Sequence, residues 1–76
     1  MTIHVRFFAS LREQTGIGST TVDADGLYNA RDLWSALTDE PLDETTLVAV
    51  NKTYAGPDHT ITDGDEVAFF PPITGG

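Results

Sequence analysis

The hydrophobic residues of this chain change period once and then change back. In "TIHVRFF" (2–8) they alternate, with Ile3, Val5 and Phe7 on one side and His4, Arg6 and Phe8 on the other, the pattern of a strand buried on one face. In "NARDLWSALTDE" (29–40) they move to helical spacing, with Ala30, Leu33, Trp34 and Leu37 at i, i+3, i+4 and i+7. Asn29 is a good N-cap for this stripe, Asp32 sits in its first turn, and Pro41 stops it. Strand-like apolar runs then return in "TTLVAVN" (45–51) and "EVAFF" (66–70).

Turn chemistry joins these pieces. "REQTGIGS" (12–19) reads as a turn, and "TTVDA" (20–24) as a second strand paired back through it. "TDGDE" (62–66) is a tight turn on Asp63-Gly64. The order is strand, strand, helix, strand, turn, strand. One helix laid across one face of a small mixed sheet is the economical way to bury these stripes, which makes the class α+β. With the first and last strands adjacent, the expected fold is a ubiquitin-like β-grasp over residues 1–70, followed by a flexible tail at 71–76. There is no repeat or linker, and 76 residues support one domain with a small core.

Most catalytic chemistry lacks its parts. No cysteine is present, so there is no disulfide, thiol nucleophile or cysteine zinc site. His4 and His59 do not have the spacing of a metal pair, and Ser10, Ser19 and Ser35 have no base or elbow motif around them. "VDADG" (22–26) lacks the spacing and closing glutamate of a calcium loop, and Gly16 and Gly18 precede no helix that would make a phosphate loop. The chain is not expected to bind a metal or cofactor, or to be catalytic alone. A formal charge of −8 argues against nucleic-acid binding. It leaves open a basic protein partner, simple solvation or a saline host. With no long apolar run and no signal-peptide pattern, the expectation is no membrane contact and a cytoplasmic location.

What remains is "AFFPPITGG" (68–76). Pro71 and Pro72 cannot donate to a ladder, so they end the strand and direct the chain outward in an extended form. From Pro71 to Gly76 the reach is at most about 20 Å, at roughly 3.3 Å per residue. Gly75 and Gly76 lack Cβ atoms and suit a narrow channel in another protein. The one reactive group there is the carboxylate of Gly76. It is a poor acyl donor until adenylation makes it a mixed anhydride open to a sulfur or amine nucleophile.

"VAVNKTYAGPDHTITDGDEVAFFPPITGG" (48–76) closely resembles the C-terminal third of the small, sulfur-carrying subunits of molybdopterin synthase, and "VRFFASLREQTG" (5–16) resembles their first strand and turn. The thiamine-pathway carriers share mainly the fold and the diglycine. The resemblance implies that an ATP-using activating enzyme adenylates Gly76 and a sulfur donor converts it to a thiocarboxylate. The tail then enters the large synthase subunit, which holds the catalytic side chains. Sulfur passes to cyclic pyranopterin monophosphate, and two deliveries build the dithiolene of molybdopterin. Two small and two large subunits form the family's heterotetramer. The same activated carboxylate would serve a ubiquitin-like modifier joined to lysines, or a sulfur carrier for thiamine or tRNA thiolation.

The strand pattern also predicts a docking face. With Ile3, Val5, Phe7, Val67 and Phe69 turned to the core, Phe8 and Phe70 share the opposite face of neighbouring strands. Two aromatics on an uncovered sheet face mark an interaction patch. The family resemblance places Phe8, Tyr54 and Phe70 at hydrophobic contact positions, Tyr54 standing where an aliphatic residue is expected. Pro71, Pro72, Ile73 and Thr74 would line the partner's channel.

Overall fold

The computed structural model describes residues 1–72. Five strands and two helices follow in the order β1 (Thr2–Phe7), α1 (Ser10–Thr15), β2 (Ser19–Asp23), α2 (Ala30–Leu37), β3 (Leu47–Val50), β4 (Thr53–Ala55) and β5 (Glu66–Phe70). They form a single sheet ordered β2-β1-β5-β3-β4. β1 runs antiparallel to β2 and parallel to β5, and β3 runs antiparallel to both β4 and β5. These pairings make β2 and β3 parallel, and parallel strands need a long crossover, which α2 and its loops supply.

The expected core assembles on the face under α2. Ile3, Val5, Phe7, Val67 and Phe69 are buried, together with Val48 and Val50 from β3 and Ala30, Leu33 and Trp34 from α2. Trp34 meets Phe7 and Phe69 edge-on, at 5.7 and 5.1 Å between ring centroids, a favoured arrangement for aromatic quadrupoles. Its ring Nε1 donates to the Glu40 carbonyl at 2.8 Å, so its polar atom is satisfied. Asn29 caps α2 by accepting from the Asp32 backbone N–H at 2.9 Å. The helix ends at Leu37, the last residue of its apolar stripe, because Thr38 is already extended and its hydroxyl accepts from the Glu40 N–H at 3.1 Å.

Two elements are additions to the sequence reading. The stretch read as a turn at 12–19 begins inside α1, a helix of six residues that buries only Leu11 and therefore shows no apolar stripe. Gly16, at φ 74, closes it by donating its N–H to the Arg12 carbonyl. β4 is a three-residue edge strand joined to β3 by Asn51 and Lys52. Their φ values of 52 and 69 follow the type I′ hairpin pattern, here without a glycine. The Asp63-Gly64 turn is present, with Gly64 at φ 86 and its N–H donating to the Thr2 carbonyl at 2.8 Å.

Asn51 joins these two turns. Its side-chain Nδ2 donates to Asp65 Oδ1 at 2.9 Å, and its Oδ1 accepts from the Glu66 N–H at 3.0 Å. Asp65 also accepts from the Thr62 N–H at 2.8 Å. These hydrogen bonds favour the charged carboxylate, the Asn51 side chain foremost, and hold Asp65 below its usual range.

Candidate functional site: the open face of the sheet

Strand register builds a concave surface opposite α2. β1–β5 pairing sets Arg6 beside Ala68, β5–β3 pairing sets Ala68 beside Ala49, and β3–β4 pairing sets Ala49 beside Tyr54. One row across the open face is therefore Arg6, Ala68, Ala49, Tyr54. The two alanines have short side chains between larger neighbours, and form the floor of a depression of about 260 Å³. Phe8, Phe70, Lys52 and Glu66 complete its rim.

Phe8 and Phe70 stand beside this row, both half-buried. Their rings stack 4.8 Å apart and 8° from parallel. Tyr54 meets Phe70 at 6.2 Å and 60°, and the Arg6 guanidinium carbon lies 5.2 Å from the Phe8 ring centroid. Tyr54 is 67% exposed, a large apolar surface for a three-residue strand to show to water. Aromatic rings carry area at low entropic cost, so this cluster is suited to be covered by a partner.

Phe70 leads directly into Pro71, half-buried, and Pro72, exposed. Both prolines line a groove of about 430 Å³ with Trp34, Leu11 and Leu42, and with Glu40 and Asp43 among its polar groups. Asp43 accepts from the Thr45 backbone N–H and hydroxyl, both at 2.8 Å, which hold it below its usual range. The expected tail positions Ile73, Thr74, Gly75 and Gly76 lie outside the described residues.

The structure thus brings Phe8, Tyr54 and Phe70 into one cluster with Pro71 and Pro72 adjoining it. Sequence reasoning put Arg6 on this face without a role and missed Lys52 and Ala49. Alternation identifies which residues share a face, whereas only the register shows which are neighbours. His4 and His59 are exposed, and among the described residues no group of three or more His, Cys, Asp or Glu could hold a metal ion. Asp23 and Asp25 of the calcium-like stretch lie 3.6 and 3.3 Å from the Met1 ammonium. No described helix is long and apolar enough to cross a membrane.

Known proteins resemble this chain in both sequence and fold. The molybdopterin synthase sulfur carrier subunit of Escherichia coli (strain K12) is 46% identical over 84 residues, an alignment covering 97% of this chain and 99% of that protein. The crystal structure of Haloferax volcanii small archaeal modifier protein 1 superposes with a TM-score of 0.77 at 28% identity, covering 95% of this chain and 98% of that one. A protein–protein complex of subunits 1 and 2 of molybdopterin-converting factor from Helicobacter pylori 26695 contains a chain of the same fold, with a TM-score of 0.66, 21% identity and 100% of both chains covered. These neighbours make the sheet and its helices a ubiquitin-like β-grasp. Residues 5–76 match the ThiS family throughout. The chain belongs to the ThiS family, with molybdopterin synthase sulfur carrier subunits as its relatives.

Proposed function

We propose that this chain is the sulfur carrier subunit of a cytoplasmic molybdopterin synthase, holding sulfur as a thiocarboxylate on Gly76. The observation that carries this reading is the 46% identity to the E. coli sulfur carrier subunit over nearly the whole of both chains. The family match also extends to Gly76.

The chemistry asks little of the domain itself. ATP, bound by an activating enzyme, is attacked by the Gly76 carboxylate; pyrophosphate leaves and an acyl-adenylate forms. Hydrosulfide attacks the acyl carbon, the carbon–oxygen bond to AMP breaks, a proton is lost, and a thiocarboxylate remains. The large synthase subunit then receives the tail and transfers its sulfur to cyclic pyranopterin monophosphate, two deliveries completing the dithiolene. The domain provides recognition. Phe8, Tyr54 and Phe70 anchor it on the large subunit within a heterotetramer, Pro71 and Pro72 aim the tail, and Ile73 to Gly76 thread the channel. The reading is supported by the clustering of those three aromatics beside the point where the chain leaves β5.

Intact-mass measurement on the protein purified from its own host tests the proposal. An oxygen-for-sulfur mass gain on the C-terminal peptide is the expected result. A second reading, conjugation to lysines as a modifier, is favoured by the likeness to Haloferax volcanii small archaeal modifier protein 1. Adducts of this chain on other proteins, with no sulfur on Gly76, would favour that reading over the first.

A further inference from the structure

The four Lys and Arg side chains of this chain are distributed unevenly. Arg31 pairs with Asp58 at 3.1 Å, on the α2 side of the molecule. Arg6, Arg12 and Lys52 make no salt bridge among the described residues, although twelve carboxylates were available to pair with. All three line depressions next to the Phe8–Phe70 stack. Arg6 and Lys52 rim the alanine-floored one. Arg6 and Arg12 rim another, of about 200 Å³, bounded by Phe8, Gly18 and Ser19. Glu66 is the one carboxylate that lines either of them.

Two of these cations are also held in place. Arg6 lies over the Phe8 ring. Arg12 lies against Gly18, where an added Cβ would approach its Nε to 3.0 Å, so the missing side chain makes room for the guanidinium. Lys52 is exposed in the β3–β4 turn, at the φ 69 that the type I′ geometry requires.

Unpaired cations beside an apolar floor complement a partner that offers both an apolar group and negative charge. We infer that this face docks an acidic segment of the large synthase subunit, which seats one apolar side chain on Ala49 and Ala68 and presents carboxylates to Arg6, Lys52 and Arg12. The inference rests on the sulfur-carrier reading and specifies the chemistry of its partner. It runs against the chain's overall charge of −8, which taken alone favours a basic partner. The two cases give opposite signs in one experiment.

The experiment is calorimetric titration of the whole chain with the large subunit from the same organism, comparing wild type with Arg6→Glu, Lys52→Glu, Arg31→Glu and Phe70→Ala. The three charge reversals shift net charge equally and all change exposed residues. Expected are losses of roughly tenfold or more in affinity for Arg6→Glu and Lys52→Glu, since like charges at a contact are strongly unfavourable, and no change for Arg31→Glu. Unchanged or tighter binding by Arg6→Glu and Lys52→Glu overturns the inference while leaving the aromatic face intact, provided Phe70→Ala still binds weakly. If Phe70→Ala binds as wild type does, the docking face itself is wrong. If Arg6→Glu instead dissociates a dimer of the free chain without weakening large-subunit binding, the acidic occupant is a second copy and the inference also fails.

Discussion

Phe8 and Phe70 stack 4.8 Å apart on the open face, and one residue back on each strand Phe7 and Phe69 stack 5.3 Å apart in the core. Parallel pairing of β1 with β5 sets Phe7 opposite Phe69. It therefore turns two Phe-Phe dipeptides into an inner pair and an outer pair. Trp34 covers the inner pair, while Tyr54 and Arg6 only border the outer one. The two pairs should respond oppositely to truncation.

Phe70→Ala is expected to leave a folded domain and to weaken large-subunit binding by about 1.5–3 kcal/mol, the contribution of a buried aromatic anchor. Phe7→Ala should instead cost about 3–5 kcal/mol of stability by opening a core cavity. Thermal unfolding and calorimetric titration of both variants check the contrast. An unfolded Phe70→Ala protein would contradict the division between the pairs.

Deleting Gly76 is expected to abolish adenylation, because the carboxylate then falls short of the nucleotide by one residue, about 3.3 Å. Pyrophosphate release in the presence of the activating enzyme and ATP measures this directly. A truncated chain that still gains a thiocarboxylate would remove the basis for the tail mechanism.

Lys52→Gly is expected to stabilise the fold and weaken docking together. Glycine relieves the positive φ at this turn, a gain of roughly 0.5–1 kcal/mol, while one rim cation is lost. A higher melting temperature with unchanged large-subunit affinity would detach the strained turn from recognition.

Acidification should weaken the fold through Asp65. Its folded carboxyl is held below its ordinary range, first by the Asn51 side chain and then by the Thr62 N–H. A depressed folded pKa contributes stability above the unfolded pKa, and that stability is lost as pH falls through the folded one. Denaturant unfolding should therefore show stability declining below about pH 4. Asp65→Ala should lose roughly 1 kcal/mol at neutral pH, as expected for hydrogen bonds at an exposed turn, and should flatten the acid limb. A variant with an unchanged acid limb would show that Asp65 does not control it.

Alternation made the sheet's two faces legible, since Ile3, Val5 and Phe7 could be buried together only if Phe8 pointed the other way. The helical stripe with its Asn29 cap was equally direct. α1 escaped because six residues with one buried leucine have no period to read. β4 escaped because its turn reaches positive φ at Asn51 and Lys52 without a glycine to signal it. Tyr54 entered through family resemblance, and its exposure on a three-residue edge strand gave no pattern of its own. The set of cations was least legible. Arg6, Arg12 and Lys52 come from a strand, a short helix and a hairpin turn, and Arg6 shares one depression with Lys52 and another with Arg12.

β5 lies at the centre of the sheet, hydrogen-bonded to β1 on one side and β3 on the other. Any partner that draws on the chain beyond Phe70 pulls along the axis of this strand, across both ladders at once. Such a load shears many hydrogen bonds together instead of unzipping them singly. An edge strand such as β4 would peel away under the same pull. The central position makes β5 a mechanical anchor for the chain that leaves it at Phe70.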